Sequence, residues 1–287
     1  MTALPRFFAE YQERVTTELR WLVPDQGDPV ERAMAYTILA PSKHVRAVLV
    51  LLCAELCGGN VGRAVPAAAA IELVHAASLI LDDLPAMDDA PLRRGRPANH
   101  LESGEATAIL AAFGLLNLGY GALARGYEGG IAARMSAILS DAVGPVGLIG
   151  GQALDLQATD QSISFETLER IHRGKTGALF VAAAACGAVT AGAGAESIAA
   201  LSAYAKNLGL AFQIVDDLLD VAGDPAHTGK AVRADARKTT FVSFSGVDGA
   251  RQLAAELCQT ADRALSPFGA KADRLRELSA FVAERRL

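Results

Sequence analysis

The apolar positions of the chain recur every three or four residues along almost its whole length, the spacing of amphipathic or buried helices. This periodicity predicts helices over residues 6–22, 28–39, 43–57, 64–83, 104–125, 128–142, 145–158, 165–190, 195–222, 246–264 and 268–285. Short Gly- and Pro-containing stretches separate them, and we find no alternating pattern of the strand type. The sequence therefore predicts an all-α, many-helix bundle that forms a single domain over residues 1–287.

One long stretch departs from helical periodicity, residues 223–240, with the sequence GDPAHTGKAVRADARKTT. Gly, Pro and charged residues cluster in it, and loops of this length in compact domains are commonly lids or binding loops. We interpret it as a candidate lid. The uncharged segment 176–195 is the only membrane-span candidate that we identify from the sequence. Because it consists of Ala and Gly rather than Leu, Ile and Phe, we expect a central buried helix and no membrane span.

Composition narrows the possible partners and compartments. Hydrophobic residues make up 51% of the chain and the net charge is -5, so no basic excess is available for a nucleic-acid backbone. Residues 1–20 carry several charges and lack the apolar core of a secretory signal, and we expect a cytoplasmic protein. The cysteines lie in apolar surroundings, which predicts buried thiols rather than a metal–thiolate site: Cys53, Cys57, Cys186 and Cys258.

Two groups of aspartates follow long apolar segments, each at the end of a predicted helix. The first lies in LILDDLPAMDDAPLRRGRP, residues 79–97, and the second in FQIVDDLLDVAGD, residues 212–224. Pro85 disfavours helical geometry at the residue before it, so a local break would bring Asp82 and Asp88 together. In the second group, Asp216 and Asp220 are four residues apart and share a helix face.

Oxygen-only ligands without His or Cys are typical of Mg²⁺, which is often shared with a phosphate-bearing substrate. Two such groups facing each other would hold a diphosphate through bridging ions. A solvated acidic helix end is the alternative for either group alone. Cations near the groups favour the diphosphate interpretation: Lys43, Arg46, Arg93, Arg94, Arg96, Lys175, Lys230 and Lys238.

These motifs resemble those of the trans-isoprenyl diphosphate synthases, and the resemblance covers essentially the whole chain. DDLPAMDDAPLRRGRP and FQIVDDLLDVAGD resemble the two aspartate-rich motifs of the family. GGQALDLQ (150–157), RGKTGALF (173–180) and the Lys-containing candidate lid resemble further blocks. The stretch 75–100 is most similar to bacterial geranylgeranyl diphosphate synthases of carotenoid pathways. The resemblance implies a helical bundle around a deep central cavity, a homodimer, and head-to-tail condensation of isopentenyl diphosphate with dimethylallyl, geranyl or farnesyl diphosphate.

The resemblance also implies a role for individual residues. Asp82 and Asp88 would bind two Mg²⁺ ions and Asp216 a third, supported by Asp83, Asp217 and Asp220. The allylic diphosphate would be held by Arg93, Lys175 and Lys230. The isopentenyl diphosphate would be held by Lys43, Arg46, His75 and Arg94. Thr176 and Gln213 would lie beside the allylic cation, with Phe212 near the incoming alkene, and the released diphosphate would remove the proton.

Product length is predicted from Ala77 and Ser78, which lie five and four positions before Asp82. On a helix that ends at the metal site, these positions lie about one turn along the same wall. Their small side chains would leave a tunnel open for a C20 product. The resemblance implies that farnesyl-making relatives of this motif type carry an aromatic residue at the position of Ala77. A farnesyl diphosphate synthase stays an alternative, as does a small residue at a tight helix crossing.

Two departures from the family pattern keep other interpretations open. Residues 41–47 read PSKHVRA where the family has GGKRxRP, so His44 stands in place of an arginine and predicts a weaker or repositioned isopentenyl diphosphate site. Phe113 stands where the family has an aspartate, whose loss we interpret as structural. A non-catalytic partner subunit is therefore one alternative. A class I terpene cyclase is another, although its second metal motif is normally of the NSE/DTE kind rather than DDLLD.

Overall fold

The structure, a computed structural model, describes residues 6–222 and 238–284. The helices in these residues are α1 (Arg6–Leu22), α2 (Pro29–Ile38), α3 (Val45–Leu56), α4 (Val61–Asp82), α5 (Asn99–Ser103), α6 (Glu105–Gly126), α7 (Gly129–Val143), α8 (Leu148–Ala158), α9 (Phe165–His172), α10 (Ala178–Thr190), α11 (Ala195–Ala222), α12 (Phe241–Ala264) and α13 (Asp273–Ala283). A π-helix, Arg173–Gly177, joins α9 to α10, and a 3₁₀ helix, Ser266–Ala272, joins α12 to α13. The predicted all-α bundle is confirmed.

Helix α4 is a central element of the bundle, because it packs against α1, α2, α3, α6 and α10. It begins at Asn60, whose side chain accepts hydrogen bonds from the backbone N–H groups of the first turn. Its buried positions include the run Ala67–Ala70. These small side chains let α6 approach closely: a Cβ added at Gly119 would lie 3.1 Å from the carbonyl oxygen of Ala70. The acidic end of α4 is therefore held by packing on several sides.

The chain folds back on itself where α4 ends. Asp88 donates its backbone N–H to the carbonyl of Asp82 at 3.0 Å, and Ala90 donates to the carbonyl of Asp83 at 3.2 Å. Pro85 follows the last helical turn directly and prevents α4 from continuing. The predicted break after Asp83 is confirmed, and it places the backbones of Asp82 and Asp88 side by side.

Residues 92–97 form a small hairpin that we did not predict. Strand β1 (Leu92–Arg93) pairs antiparallel with β2 (Arg96–Pro97). Arg94 and Gly95 connect them with φ values of 54° and 74°, as in a type I′ turn, which requires positive φ at both central residues. Strands of two residues are too short for an alternating pattern to show. The hairpin directs Arg93 to Asp83 at the end of α4 and places Arg94 near Ala40.

The predicted helix 165–190 is interrupted, because residues Arg173–Gly177 form a π-helix between α9 and α10. Two glycines allow this segment to lie against α8. A Cβ added at Gly174 would lie 2.9 Å from the Cα of Gly151, and one added at Gly151 would overlap the backbone nitrogen of Lys175. Backbone contact between α8 and the π-helix therefore requires glycine on both sides.

Replacing Gly151 with alanine should lower the free energy of unfolding by about 1–3 kcal/mol, because the added methyl forces the π-helix away from α8. Chemical denaturation of the purified variant measures this. Gly130→Ala is the matched control, since a Cβ at Gly130 meets nothing within 4 Å, and it should be neutral or slightly stabilising. A Gly151→Ala variant as stable as the control would show that the two segments separate without cost.

Helix α12 begins earlier than predicted, at Phe241 rather than at residue 246. Thr240 forms a capping box with Ser243, which starts the helix, and Gly246 with φ of 69° kinks it one turn later. Because the helix changes direction at Gly246, the turn before it does not continue the apolar periodicity of the residues after it. The sequence pattern therefore indicated only the part of α12 that follows the kink. The remainder of the candidate lid, residues 223–237, lies outside the described residues.

The structure contains apolar helices long enough to cross a membrane, but none of them is the segment 176–195 that the sequence indicated. By length and composition alone, four described segments could cross a membrane: Val61–Asp82, Glu105–Gly126, Gly129–Ala158 and Ala195–Val221. The prediction that 176–195 is the only candidate is wrong, because the π-helix leaves α10 with only 13 residues. Its interpretation as a buried helix is confirmed, since most of α10 is buried. Cys53, Cys186 and Cys258 are buried as expected, whereas Cys57 is half-buried.

Candidate active site

The side chain of Lys175 connects three carboxylates at the end of α4. Its Nζ donates to Oδ1 of Asp82 at 3.2 Å and to Oδ2 of Asp155 at 2.7 Å, and it lies 3.9 Å from Oδ2 of Asp88. Gln152 of α8 also donates to Asp82. Burial alone would lower the pKa of Lys175, but the charges of Asp82 and Asp155 raise it above its ordinary value. Lys175 is therefore a cation at the centre of an acidic group.

A second lysine lies on the other side of the same carboxylates. Nζ of Lys238, just before α12, donates to Oδ1 of Asp88 at 2.7 Å and to Oδ2 of Asp155 at 3.0 Å. Burial works to raise the pKa of Asp155, but the charges of Lys175 and Lys238 lower it below its ordinary value. Two ammonium groups thus bridge three carboxylates that come from α4, the turn after it, and α8.

Asp83, the residue after Asp82, holds Arg93. The Arg93 guanidinium donates from Nε to both carboxylate oxygens at 3.0 Å, and a further contact joins its Nη2 to Oδ1. Asp83 is only 2% exposed. Despite its burial, the pKa of Arg93 is raised by the Asp83 carboxylate. Asp83 therefore fixes the position of Arg93 beside the cluster, and its predicted supporting role in Mg²⁺ binding stays a prediction.

The second aspartate group lies on α11, and its most buried member links α11 to α12. Asp217 accepts a hydrogen bond from Gln213 Nε2 at 2.9 Å and another from the backbone N–H of Phe241 at 3.0 Å. Asp216 and Asp220 are half-buried on the same helix. Asp217 thus satisfies the first turn of α12, and the segment around Lys238 is held close to α11.

The π-helix joins the two aspartate groups. Lys175 contacts the first group, and the next residue, Thr176, donates from Oγ1 to Oε1 of Gln213 at 2.8 Å. Gln213 in turn contacts Asp217 on α11. π-helical turns frequently occur at functional sites. This one lets neighbouring side chains reach two different helices, and it brings together Lys175, Thr176 and Gln213 as the sequence predicted.

A basic group lies between α3, α4 and the hairpin. Nη1 of Arg46 is 3.2 Å from Nε2 of His75, and the Arg46 guanidinium carbon lies 4.6 Å from the ring centre of Phe180 and 5.9 Å from that of Phe212. Burial lowers the pKa of Arg46 to about 10. The predicted isopentenyl diphosphate ligands Arg46 and His75 are thus adjacent, with Phe212 beside them.

The other two predicted ligands of that diphosphate lie at the edges of the basic group. Lys43 is exposed, with its Nζ 5.3 Å from the ring centre of Phe281 on α13. Arg94 is half-buried, and its Nη1 lies 3.5 Å from the carbonyl oxygen of Ala40. Lys230 belongs to the residues that the structure does not describe.

His44 does not take the place of a diphosphate-binding arginine. Its side chain is 5% exposed, and Nδ1 lies 2.8 Å from Oε1 of Glu72, itself 2% exposed. The ring is not aligned for an ideal hydrogen bond, so the two side chains are in close contact without a well-formed hydrogen bond. The imidazole is thus buried against α4, and the weaker or repositioned isopentenyl diphosphate site stays a prediction.

The proposed product-length positions lie on the inner side of α4. Ala77 is 3% exposed, while Ser78 is half-buried and donates its hydroxyl to the carbonyl of His75 at 2.8 Å. Phe113, by contrast, is exposed on the outer side of α6, with 62% of its surface accessible. The replacement of the family's aspartate by Phe113 therefore changes the protein surface and not the site.

Two residues of the site, Gln152 and Asp155, were not predicted, and neither was Glu72 beside the basic group; Lys238 was predicted only as one of the nearby cations. Gln152 and Asp155 are three residues apart in the motif GGQALDLQ, so they share one face of α8. That spacing was the signal available in the sequence. Glu72 and His75 have the same spacing on α4.

The oxygen donors fit Mg²⁺ by their chemistry. Asp82 and Asp88 present carboxylate oxygens to one place, and Lys175 and Lys238 already compensate negative charge there. In residues 6–222 and 238–284, no three His, Cys, Asp or Glu side chains converge as a complete cation site. Mg²⁺ commonly binds through one or two carboxylates and takes its other ligands from water and substrate phosphates.

Comparison with known proteins gives a consistent result. The family profile described as polyprenyl synthetase matches residues 28–263. Farnesyl diphosphate synthase of Escherichia coli is 42% identical over 250 residues, which cover 85% of this chain and 84% of that protein. Geranylgeranyl pyrophosphate synthase 11, chloroplastic, of Arabidopsis thaliana is 40% identical over 282 residues, covering 94% of this chain and 79% of that protein.

A solved structure shows the same fold. Geranyltransferase from Helicobacter pylori, complexed with magnesium and isoprenyl diphosphate, superposes with a TM-score of 0.84 at 29% sequence identity. The match covers 99% of this chain and 97% of that one.

Proposed function

Since the chain belongs to the polyprenyl synthetase family and is a prenyltransferase, we propose that it condenses isopentenyl diphosphate head to tail with allylic diphosphates to give geranylgeranyl diphosphate. The alternatives of a terpene cyclase and a non-catalytic subunit are thereby set aside. The relatives include both farnesyl and geranylgeranyl synthases, so the names of the relatives do not determine the product length. The observation that carries the C20 proposal is Ala77, a small buried side chain on α4 close to Asp82.

The two basic groups suit two diphosphates. Lys175 and Arg93 lie at the aspartate cluster of α4 and would hold the allylic diphosphate. Arg46 and His75 would hold the diphosphate of the isopentenyl substrate, with Lys43 and Arg94 at the edges. Arg forms bidentate contacts with phosphate oxygens, which fixes orientation as well as adding affinity.

Mg²⁺ would be held by Asp82 and Asp88, and a third ion by Asp216. When bound, it would neutralise the charge that develops on the departing allylic diphosphate. Lys175 and Arg93 would stabilise the same charge through direct contacts. Phe180 and Phe212, whose rings lie 5.4 Å apart, would exclude water from the reacting carbons. Thr176 and Gln213 would place their oxygens beside the allylic cation.

Incubation of the purified protein with Mg²⁺, isopentenyl diphosphate and one allylic primer at a time tests the proposal. Products are dephosphorylated and separated by chromatography. We expect a C20 alcohol from dimethylallyl, geranyl and farnesyl primers alike. A main product of C15 would favour the farnesyl alternative, and an absence of isopentenyl incorporation would contradict prenyl transfer.

We also propose that two copies of the chain associate through the outer side of α6. Ile109, Leu110 and Phe113 are exposed there, with 36%, 56% and 62% of their surfaces accessible. Their spacing of one, three and four residues places them on one continuous apolar stripe. Exposed apolar patches of this kind commonly bind another protein. The resemblance to a homodimeric family favours a second copy as the partner.

Leu110→Asp should convert the dimer to a monomer, because it places a charge at the centre of the apolar stripe. Light scattering after size exclusion measures the mass. Trp21→Asp is the matched control, since Trp21 is 74% exposed on α1, and it should leave the mass unchanged. A wild-type monomer, or a Leu110→Asp dimer at equal concentration, would contradict association through α6.

A further inference from the structure

Glu72 is a buried carboxylate that lies among the side chains of the basic group. It is 2% exposed, and its Oε1 lies 2.8 Å from Nδ1 of His44. His75 lies one turn further along α4 on the same face. Burial works to raise the pKa of Glu72, but the adjacent His44 lowers it to about 2, with smaller effects from His75 and Arg94. Glu72 is therefore an anion inside the basic group.

Arg46 lies against the same face of α4 as this carboxylate, because its Nη1 is 3.2 Å from Nε2 of His75, one turn along the helix from Glu72. Among all charged groups, Glu72 exerts the largest electrostatic effect on Arg46. Arg46 contacts His75 through Nη1, while its buried Nε has no hydrogen-bond partner in the described part of the chain. A guanidinium with a vacant donor, close to a buried carboxylate, would turn to it if nothing else occupied that carboxylate.

The backbone brings His44 into this position. His44 precedes α3 with a φ of 49°, in the left-handed region that non-glycine residues seldom adopt. Its backbone N–H donates to Oγ of Ser42 at 3.3 Å. This conformation turns the side chain inward to Glu72, whereas Lys43 before it remains exposed.

We propose that His44 is a positioning residue: by occupying Glu72, it keeps Arg46 directed toward the diphosphate of the isopentenyl substrate. The inference rests on the proposed function, since it assigns that diphosphate to Arg46. It differs from a purely structural role in one respect. If His44 only stabilised the fold, removing Glu72 as well would not restore binding, whereas removal of the competing anion should release Arg46.

The test is a double-mutant cycle on isopentenyl diphosphate binding, measured by calorimetry without an allylic substrate. His44→Ala should weaken binding about tenfold, because Arg46 turns to the unpaired Glu72. His44→Ala combined with Glu72→Gln should return the Kd to within about threefold of wild type, as should Glu72→Gln alone. In steady-state assays, His44→Ala should raise the KM for isopentenyl diphosphate and leave the KM for the allylic diphosphate unchanged.

Tyr127→Phe controls for the loss of a buried polar contact on the same helix. The Tyr127 hydroxyl contacts the backbone of Arg63 and Ala67, at the opposite end of α4 from the site. This variant should bind isopentenyl diphosphate as the wild type does. If His44→Ala does not fold, His44→Gly replaces it, because glycine adopts positive φ without strain.

Two results would overturn the proposal. One is a Kd of His44→Ala, or of its glycine replacement, equal to that of Tyr127→Phe. The other is a double variant that binds as weakly as the single His44 variant. A wild-type protein that binds isopentenyl diphosphate but transfers no prenyl group would contradict the proposed function only, since the binding cycle involves no turnover.

Discussion

Replacing Asp82 with alanine should lower kcat for prenyl transfer about 10³-fold, because it removes an expected Mg²⁺ ligand and the charge partner of Lys175. Asp82 accepts from Lys175 and Gln152 and makes no contribution to the apolar core. Lys175 retains its 2.7 Å contact to Asp155 in the variant. The free energy of unfolding should therefore change by less than about 1 kcal/mol. Initial rates with saturating substrates and Mg²⁺ measure the first effect, and denaturation measures the second.

The control for this variant is Asp248→Ala, which removes a carboxylate whose side chain is fully exposed on α12. It should leave both kcat and stability unchanged. Retention of more than about a tenth of the wild-type rate by Asp82→Ala would show that Asp82 does not ligate the metal.

The second large effect concerns the product. Ala77→Tyr should change the main product from C20 to C15, because a ring at this buried position would block extension of the prenyl chain along α4. Overpacking a tight helix crossing usually costs about 1–3 kcal/mol, so the variant should be assayed at a temperature where it remains folded. Chromatography of the dephosphorylated products gives the length distribution.

Ser78→Ala is the control for product length. Its hydroxyl already donates to the carbonyl of His75, so the substitution adds no volume to the wall, and C20 should remain the main product. An active, folded Ala77→Tyr enzyme that makes mostly C20 would place the end of the tunnel elsewhere. Ala77 would then be a packing residue at a helix crossing.

Sequence periodicity predicted most of the helices, because apolar burial and helix caps are encoded within each segment. The approach of Asp82 to Asp88 was predictable for the same local reason, since Pro85 ends α4 whatever surrounds it. The prediction that Thr176 and Gln213 lie together did not come from the helical periodicity. It followed from the resemblance of motifs, because residues 37 positions apart on different helices carry no local signal of contact.

Features that depend on two segments meeting were missed. The π-helix forms where Gly174 contacts Gly151, and only the packed structure reveals that both backbones need the same space. The contact of His44 with Glu72 was not predicted, because the two residues are 28 positions apart and carry no local signal of contact. Asp155 was overlooked for a similar reason: a single aspartate in an apolar helix becomes functional only beside Lys175 and Lys238.

The hairpin of residues 92–97 limits how this part of the chain can change in length. Its turn has two residues, and the register pairs Arg93 with Arg96. Arg93 contacts Asp83, while its neighbour Arg94 lies near Ala40. A one-residue insertion in the turn would shift the register and exchange the sides to which the two arginines point. Surface loops generally tolerate insertions and deletions, but this one should not, and its length is therefore as constrained as the identity of its residues.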